Sequence, residues 1–201
     1  MRTGVTGAVL AGGASRRMGR DKRLLHVDGV PMARRAADAL YGVCDELLIV
    51  VSARMPLDPN LFAGLRWRST RDRRADAGPL AGLEAGLVEA RHDLVLVVGA
   101  DAPWLSPSLL RHLARRLAAS DQTTDAVAVG GERGPEPLLA CYRRRVLATV
   151  TDLLDRGERR AGALLDTCTV EIVPPEEWRR FDPAGASLRN VNRPADLERS
   201  A

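Results

Sequence analysis

The stretch VLAGGASRRMGRDKRLL, Val9–Leu25, holds the reading of the whole chain. It opens on an apolar run, Val9-Leu10-Ala11, that ends in two glycines, Gly12 and Gly13. Cationic side chains follow closely, Arg16, Arg17 and Lys22 among them, with Gly19 in their midst. GAVLAG is too short for a helix and is bounded by glycine, so it reads as a buried strand. Glycines directly after a strand let the backbone approach an anion and turn its N–H groups toward it. The spacing is not the G-x-G-x-x-G of dinucleotide folds. It is not a P-loop either, because Arg20 and Asp21 separate Gly19 from Lys22. A flexible loop with clustered cations is expected to hold a polyphosphate; a tight solvated turn is the bland alternative.

Outward from this strand, apolar runs and amphipathic stretches alternate. LLHVDGVP predicts a small extended piece turning at Asp28-Gly29, with Pro31 opening a helix over Met32–Tyr41. ELLIVVS, Glu46–Ser52, is a second apolar strand, and LRWRS a weaker third. GPLAGLEAGLVEARH starts a helix with proline just inside it. DLVLVVGAD, Asp93–Asp101, is the strongest strand, and SPSLLRHLARRLAAS follows with Ser106 as cap and Pro107 in the first turn. Strands that are apolar throughout, alternating with helices, indicate a mostly parallel sheet covered on both faces. After Ala126 the pattern blurs: AVAVG and PLLACY are candidate strands, and RVLATVTDLLDRG is a helix. No linker or repeat divides the chain, so residues 1–201 are expected to form one α/β domain. In open sheets of this kind ligands sit at the carboxyl ends of strands. Gly12 and Asp101 both fall at such ends.

Composition narrows the partners. The 201 residues are 45% hydrophobic and 28% charged, ordinary for a globular chain, with only 3% aromatic, so Leu, Val and Ala must fill the core. No apolar run approaches a membrane span, and the N-terminus lacks a signal-peptide pattern. Cys44, Cys141 and Cys168 are widely spaced, so they are expected to be buried reduced thiols in a cytoplasmic protein rather than zinc ligands or disulfides. His26, His92 and His112 are isolated and read as surface or satisfied residues. A net charge of +4, from 30 Lys plus Arg against 26 Asp plus Glu, comes with no basic stripe interleaved with aromatics. Nucleic acid and membrane partners are therefore not expected.

LAGGASRRMGRDKRLL resembles the opening motif of the molybdenum cofactor guanylyltransferases, part of a wider nucleotidyltransferase superfamily. That motif is L-A-G-G-x-S-x-R-M-G-x-D-K-x-L-L, and every specified residue is present. DRRADAGPLAGLEAGL is similar to the family's aspartate followed by G-P-L-A-G. VVGADAPWL, EPLLACY and DRGERR have counterparts in the expected order, and NVNRPADL resembles its closing N-V-N-x-P-x-D/E-L.

The resemblance implies a Rossmann-like fold and transfer of GMP from GTP to molybdopterin or the molybdenum cofactor, releasing pyrophosphate with Mg2+. It implies that Leu10, Ala11, Gly12 and Gly13 contact the nucleotide, that Lys22 reaches its phosphates, that Asp72 shapes the nucleotide pocket and that Asp101 binds the metal. Nucleotidyl transfer needs positioning and charge neutralisation rather than covalent help, which suits these residue types. Arg16 and Arg17 adjoin, so one of them faces the ligand, and Arg16 is taken as that one. Gly78 either frees the backbone before Pro79 or admits a base. Asn190 and Asn192 would face one side of a strand and contact acceptor or metal. The family often has asparagine where this chain has Ser52. Trp104 and Trp178 are read as packing residues. Gly12-Gly13 favours the guanylyl branch, since cytidylyl relatives read L-A-A-G. The alternatives are a molybdopterin cytidylyltransferase, another small-metabolite guanylyltransferase, or a non-catalytic nucleotide-binding or cofactor-carrier protein. A client molybdoenzyme or its chaperone is a further expected partner.

Overall fold

The computed structural model describes residues 4–12, 24–53, 56–74, 77–191 and 196. Its first strand, β1 (Val5–Leu10), is buried at every position. A short hairpin follows, β2 (His26–Val27) and β3 (Val30–Pro31), closed by Asp28 and Gly29. Both turn residues have positive φ, 50° and 78°, as a two-residue hairpin turn of this hand requires. Helix α1 (Met32–Tyr41) begins directly after it. Pro31 opens the helix from the N-cap, its extended ψ of 138° keeping it in the hairpin.

Next come β4 (Glu46–Val51), β5 (Arg68–Arg71), α2 (Gly78–Glu89), β6 (Leu94–Gly99) and α3 (Pro107–Ala119). The Ser106 hydroxyl accepts the Leu109 N–H at the start of α3, as its position before Pro107 predicts. The third strand lies later than LRWRS suggests. Trp67 is drawn instead into a tilted contact with Phe62, 5.2 Å between ring centres, so pairing starts only at Arg68 opposite Leu48. The second half contains β7 (Ala126–Gly131), β8 (Gly134–Arg143), α4 (Leu147–Asp155), α5 (Gly162–Leu165), β9 (Val170–Val173) and α6 (Pro175–Trp178).

Among the described residues these strands form one seven-stranded sheet ordered β5-β4-β1-β6-β8-β7-β9, with the β2-β3 hairpin separate. Strands β1, β4, β5 and β6 are mutually parallel, and β8 runs antiparallel to both β6 and β7. Side-chain alternation sends Val9, Ile49, Leu96 and Val98 to one face, where α1 and α3 cover them through Ala33, Ala36, Leu40, Leu110 and Leu113. Ala8, Leu48, Val95 and Val97 face the other way, under Leu80, Leu83 and Leu87 of α2 and Val150 and Leu154 of α4. Helices thus cover both faces of a mostly parallel sheet, the Rossmann-like arrangement predicted.

Trp178 is 4% exposed, and its indole N–H donates to the Gly130 carbonyl at 3.0 Å, so it packs as expected. All three cysteines are free, but only Cys141 is fully buried; Cys44 and Cys168 are partly so. His112 stacks on Phe181 and bonds Glu177. No helix among the described residues is long and apolar enough to cross a membrane.

Candidate active site at the carboxyl ends of the strands

The chain leaves β1 and builds β4 and β5 on one side of it, then returns to lay β6 on the other. The crevice at the β1–β6 boundary is therefore a topological switch point, the place where open α/β sheets bind ligands. Two hydrogen bonds hold its rim: Ala100 N–H to the Leu10 carbonyl at 3.1 Å, and Ala11 N–H to the Val50 carbonyl at 2.7 Å. Leu10 and Ala11 are buried, so they offer backbone rather than side chains to this rim. A Cβ on Gly12 would lie 3.1 Å from the Ser52 amide nitrogen, so glycine lets the β1 and β4 ends close together.

Ser52 and Asp72 meet here, at the ends of β4 and β5. The Asp72 carboxylate, 9% exposed, accepts the Ala53 N–H at 3.1 Å, while the Asp72 N–H donates to the Val51 carbonyl. The Arg71 guanidinium donates to the carbonyls of Ser52 and Ala53. Asp72 and Arg71 together fix the course of the chain leaving β4, a role that sequence reasoning missed because it depends on two strands meeting.

Gly78 begins α2 with φ +71°, and a Cβ there would lie 2.7 Å from the Arg159 carbonyl oxygen. That carbonyl also accepts the Leu80 N–H at 3.4 Å, satisfying one of the donors a helix start leaves open. The positive φ and the close approach of the Arg159 backbone both call for glycine at this helix start. The Arg159 loop is shaped by Glu158, whose carboxylate accepts the Arg160 guanidinium and the N–H groups of Arg160 and Arg159. Those contacts hold the Glu158 carboxyl down at about 2.

Asp101 follows β6. A Cβ on Gly99 would fall 2.5 Å from an Asp101 carboxylate oxygen, so the glycine leaves that carboxylate its space. The Val191 N–H donates to the Asp101 carbonyl at 2.8 Å, which brings Asn190 to the same place. Asn190 lies in an irregular segment, not the strand expected for Asn190 and Asn192. The cause is the preceding loop: Asp182 accepts the N–H groups of Ala186 and Ser187, and the Ser187 hydroxyl accepts the Ser106 N–H, winding residues 186–188 into a 3-10 turn. Val191, fully buried against Val27 and Met32, pins the end.

A cleft of about 180 Å³ opens between these parts, lined by Gly99, Asp101, Leu138, Ser187 and Asn190 and also by Glu136. Glu136 is half-buried and its carboxyl is raised by burial, which the nearby Arg133 charge partly offsets. Sequence reasoning had not singled it out; a glutamate between two prolines at the head of an apolar strand was the available signal. Gly13, Arg16, Arg17, Lys22 and Asn192 lie outside the described residues.

Known proteins resemble this chain in sequence and in fold. Residues 7–171 match the model of the MobA-like NTP transferase domain. A Methanothermobacter thermautotrophicus protein named probable molybdenum cofactor guanylyltransferase is 35% identical over 94% of this chain and 95% of its own length. A Deinococcus radiodurans protein of the same name is 37% identical over 96% of this chain and 92% of its own. Among solved structures, molybdopterin-guanine dinucleotide biosynthesis protein A from Archaeoglobus fulgidus superposes with a TM-score of 0.81 at 26% identity, covering 97% of this chain and 96% of that one.

Proposed function

We propose that this chain, which belongs to the MobA-like NTP transferase domain family and is a nucleotidyltransferase, transfers GMP from GTP to molybdopterin or the molybdenum cofactor. The observation that carries the reading is the placement of Gly12 and Asp101 just beyond the carboxyl ends of the neighbouring strands β1 and β6 at the switch point, with Asn190 next to the Val191 N–H that bonds the Asp101 carbonyl. One domain over residues 1–201 does this work in the cytoplasm, on small-molecule substrates rather than nucleic acid or membrane. The product passes to a client molybdoenzyme or its chaperone.

In this reading the triphosphate lies over the backbone of Leu10–Gly13. Lys22 and Arg16 neutralise the β- and γ-phosphates. The base occupies the space bounded by Ser52 and the Gly78 turn, with Asp72 holding that wall through Ala53. The acceptor's terminal phosphate oxygen attacks the α-phosphorus in line; the α–β bridging bond breaks and its electron pair leaves with pyrophosphate. Asn190 and Asn192 orient the acceptor.

The residues fit Mg2+ as cofactor. Asp101 offers a hard oxygen donor with space made by Gly99, on a cleft whose lining also presents Ser187 and Asn190. Among the described residues no group of three or more His, Cys, Asp or Glu could form an all-protein cage, and Mg2+ needs only one or two carboxylates beside substrate phosphates. Asp101 would hold the ion, which supplies charge neutralisation at the transferring phosphoryl group.

The test is kcat/KM with molybdopterin and each of GTP, CTP and ATP at one Mg2+ concentration. Guanine carries adjacent N–H donors, and cytosine would leave their pocket acceptors unpaired at about 1–3 kcal/mol, so GTP should lead by roughly 10- to 100-fold. Ser52→Asn should widen the gap. Equal or better efficiency with CTP would move the chain to the cytidylyl branch, and absence of transfer with any nucleotide would leave a binding or carrier role.

A further inference from the structure

Glu136 reaches the cleft through an irregularity in the sheet. Ala128 of β7 pairs with Ala140 of β8, but the next residue, Val129, pairs with Glu136, so Pro137–Leu139 have no partners on β7. Tyr142, fully buried, donates its hydroxyl to the Pro137 carbonyl at 2.8 Å and fixes this bulge. Pro137, Leu138 and Leu139 line the cleft in a row that begins at Glu136, and Asp101 and Ala102 line it too; a Cβ on Gly131 would stand 2.7 Å from a Glu136 carboxylate oxygen, so that glycine leaves the carboxylate its room. Among the described residues no hydrogen bond or ion pair reaches the Glu136 carboxylate; Arg133 acts on it only as a nearby charge. Leu139 is the last β8 residue paired with β6, opposite Val98.

We propose that Glu136 is a specificity-determining residue for the acceptor, its carboxylate accepting the ring N–H and exocyclic NH2 of a 2-amino-4-oxopteridine while the acceptor's phosphate lies toward Asp101. The inference rests on the acceptor assigned under Proposed function. An ionised carboxylate has two acceptor oxygens and no donor, so it matches an edge that presents two adjacent donors. Pro137, Leu138 and Leu139 give the ring an apolar surface, and partial burial limits competition from water.

The chemistry predicts an exchange of preference. Lumazine, 2,4-dioxopteridine, replaces the amino group with a carbonyl and so presents an acceptor beside its N–H. Glutamine at 136 presents a donor beside an acceptor, the complement of that edge. The experiment is fluorescence titration of the full-length wild-type protein, Glu136→Gln and Glu136→Asp with pterin and with lumazine, alongside GTP and Mn2+ binding to each. Wild type should favour pterin by about tenfold or more. Glu136→Gln should weaken pterin by about 10- to 100-fold and level or invert the preference. Glu136→Asp, which keeps the carboxylate, should weaken binding yet still favour pterin. GTP and Mn2+ affinities should stay within about twofold of wild type.

Equal pterin preference in wild type and Glu136→Gln would overturn the proposal. So would a loss in Glu136→Gln confined to GTP or Mn2+, which would make Glu136 a nucleotide or metal ligand. Wild type that discriminates pterin from lumazine through Glu136 but transfers no nucleotide would refute the proposed function and leave this inference standing.

Discussion

Gly78→Ala separates the two reasons for a glycine at the start of α2. In the structure Gly78 has φ +71°, and a Cβ would stand 2.7 Å from the Arg159 carbonyl oxygen and 3.2 Å from the Arg159 Cβ. A left-handed backbone costs an L-residue roughly 1–2 kcal/mol. Forcing a methyl against a carbonyl oxygen that also serves the Leu80 N–H adds about 1–3 kcal/mol, as overpacking does elsewhere. The sum is about 2–5 kcal/mol, or roughly 4–20 °C in Tm for a chain of this size. Gly64 supplies the control: its φ is +81°, and nothing lies within 4 Å of the added Cβ. Gly64→Ala should carry only the backbone cost, roughly 2–8 °C. Reduced freedom of the unfolded chain offsets both variants alike, so it cancels in the comparison. Thermal unfolding of the two variants beside wild type, with a GTP titration of each, reads the difference directly. A Tm loss for Gly78→Ala no larger than for Gly64→Ala would refute the carbonyl contact as the reason for glycine. If GTP affinity then also fell tenfold, the glycine would serve the base.

Two further outcomes follow from the site. Asp101→Asn should lower kcat by about 100- to 1000-fold, since metal stabilisation of transferring charge is worth several kcal/mol and each ~1.4 kcal/mol is tenfold; near-normal turnover at ordinary Mg2+ would remove Asp101 from the metal. The Glu158 carboxyl is depressed from its ordinary 4.5 to about 2, first by the Arg160 guanidinium and then by the Arg160 and Arg159 N–H groups, so its contribution is complete above pH 4.5 and is lost as pH falls through about 2. NMR titration of the Glu158 side chain should show a midpoint near 2, accompanied by changed amide shifts at Arg159 and Arg160; a midpoint at 4.5 would mean the loop is not held this way.

The first half of the fold was legible because its signals are local. ELLIVV and LVLVVG are buried on both faces and read as continuous apolar runs, and Ser106-Pro107 marks a helix start by capping chemistry alone. β9 gave no such signal: Val170 and Glu171 are half-buried, Ile172 is 39% exposed, and only Val173 is fully buried. Its pairing with β7 at the sheet edge is decided by tertiary contact, including the Asp125 and Ala126 N–H groups donating to the Thr169 carbonyl. Asn190 was readable as a candidate near the site but not as part of a turn. Its conformation is set by Asp182 and Ser106, one close behind it and the other in the loop before α3. The roles of Asp72 and of the Arg159 carbonyl were likewise invisible, since each arises where two distant segments meet.

The same reasoning explains why the head of β8 resisted reading and why it matters. Pro135 and Pro137 stand in a ten-residue strand that runs between β6 and β7, where a proline removes a ladder donor. By sequence alone PLLACY could be a strand, but the segment before it could not be a central one. The sheet resolves the conflict by giving up regular pairing at that point. Pro137 falls within the unpartnered bulge, and Pro135 pairs only with Gly130, near the hairpin end. β6 has already ended at Gly99, so the head of β8 runs past its neighbour. The backbone irregularity that proline demands therefore lies beside the open end of β6, on the cleft that Asp101 also lines. Leu138 and Leu139 still turn to opposite faces of the sheet, Leu139 into the cluster under α1 and α3 and Leu138 against the cluster under α2 and α4. With the Tyr142 hydroxyl bonded to the Pro137 carbonyl, residues from Glu136 to Leu139 all contribute to the cleft, and a strand that antiparallel pairing alone would have made structural becomes a wall of the candidate site.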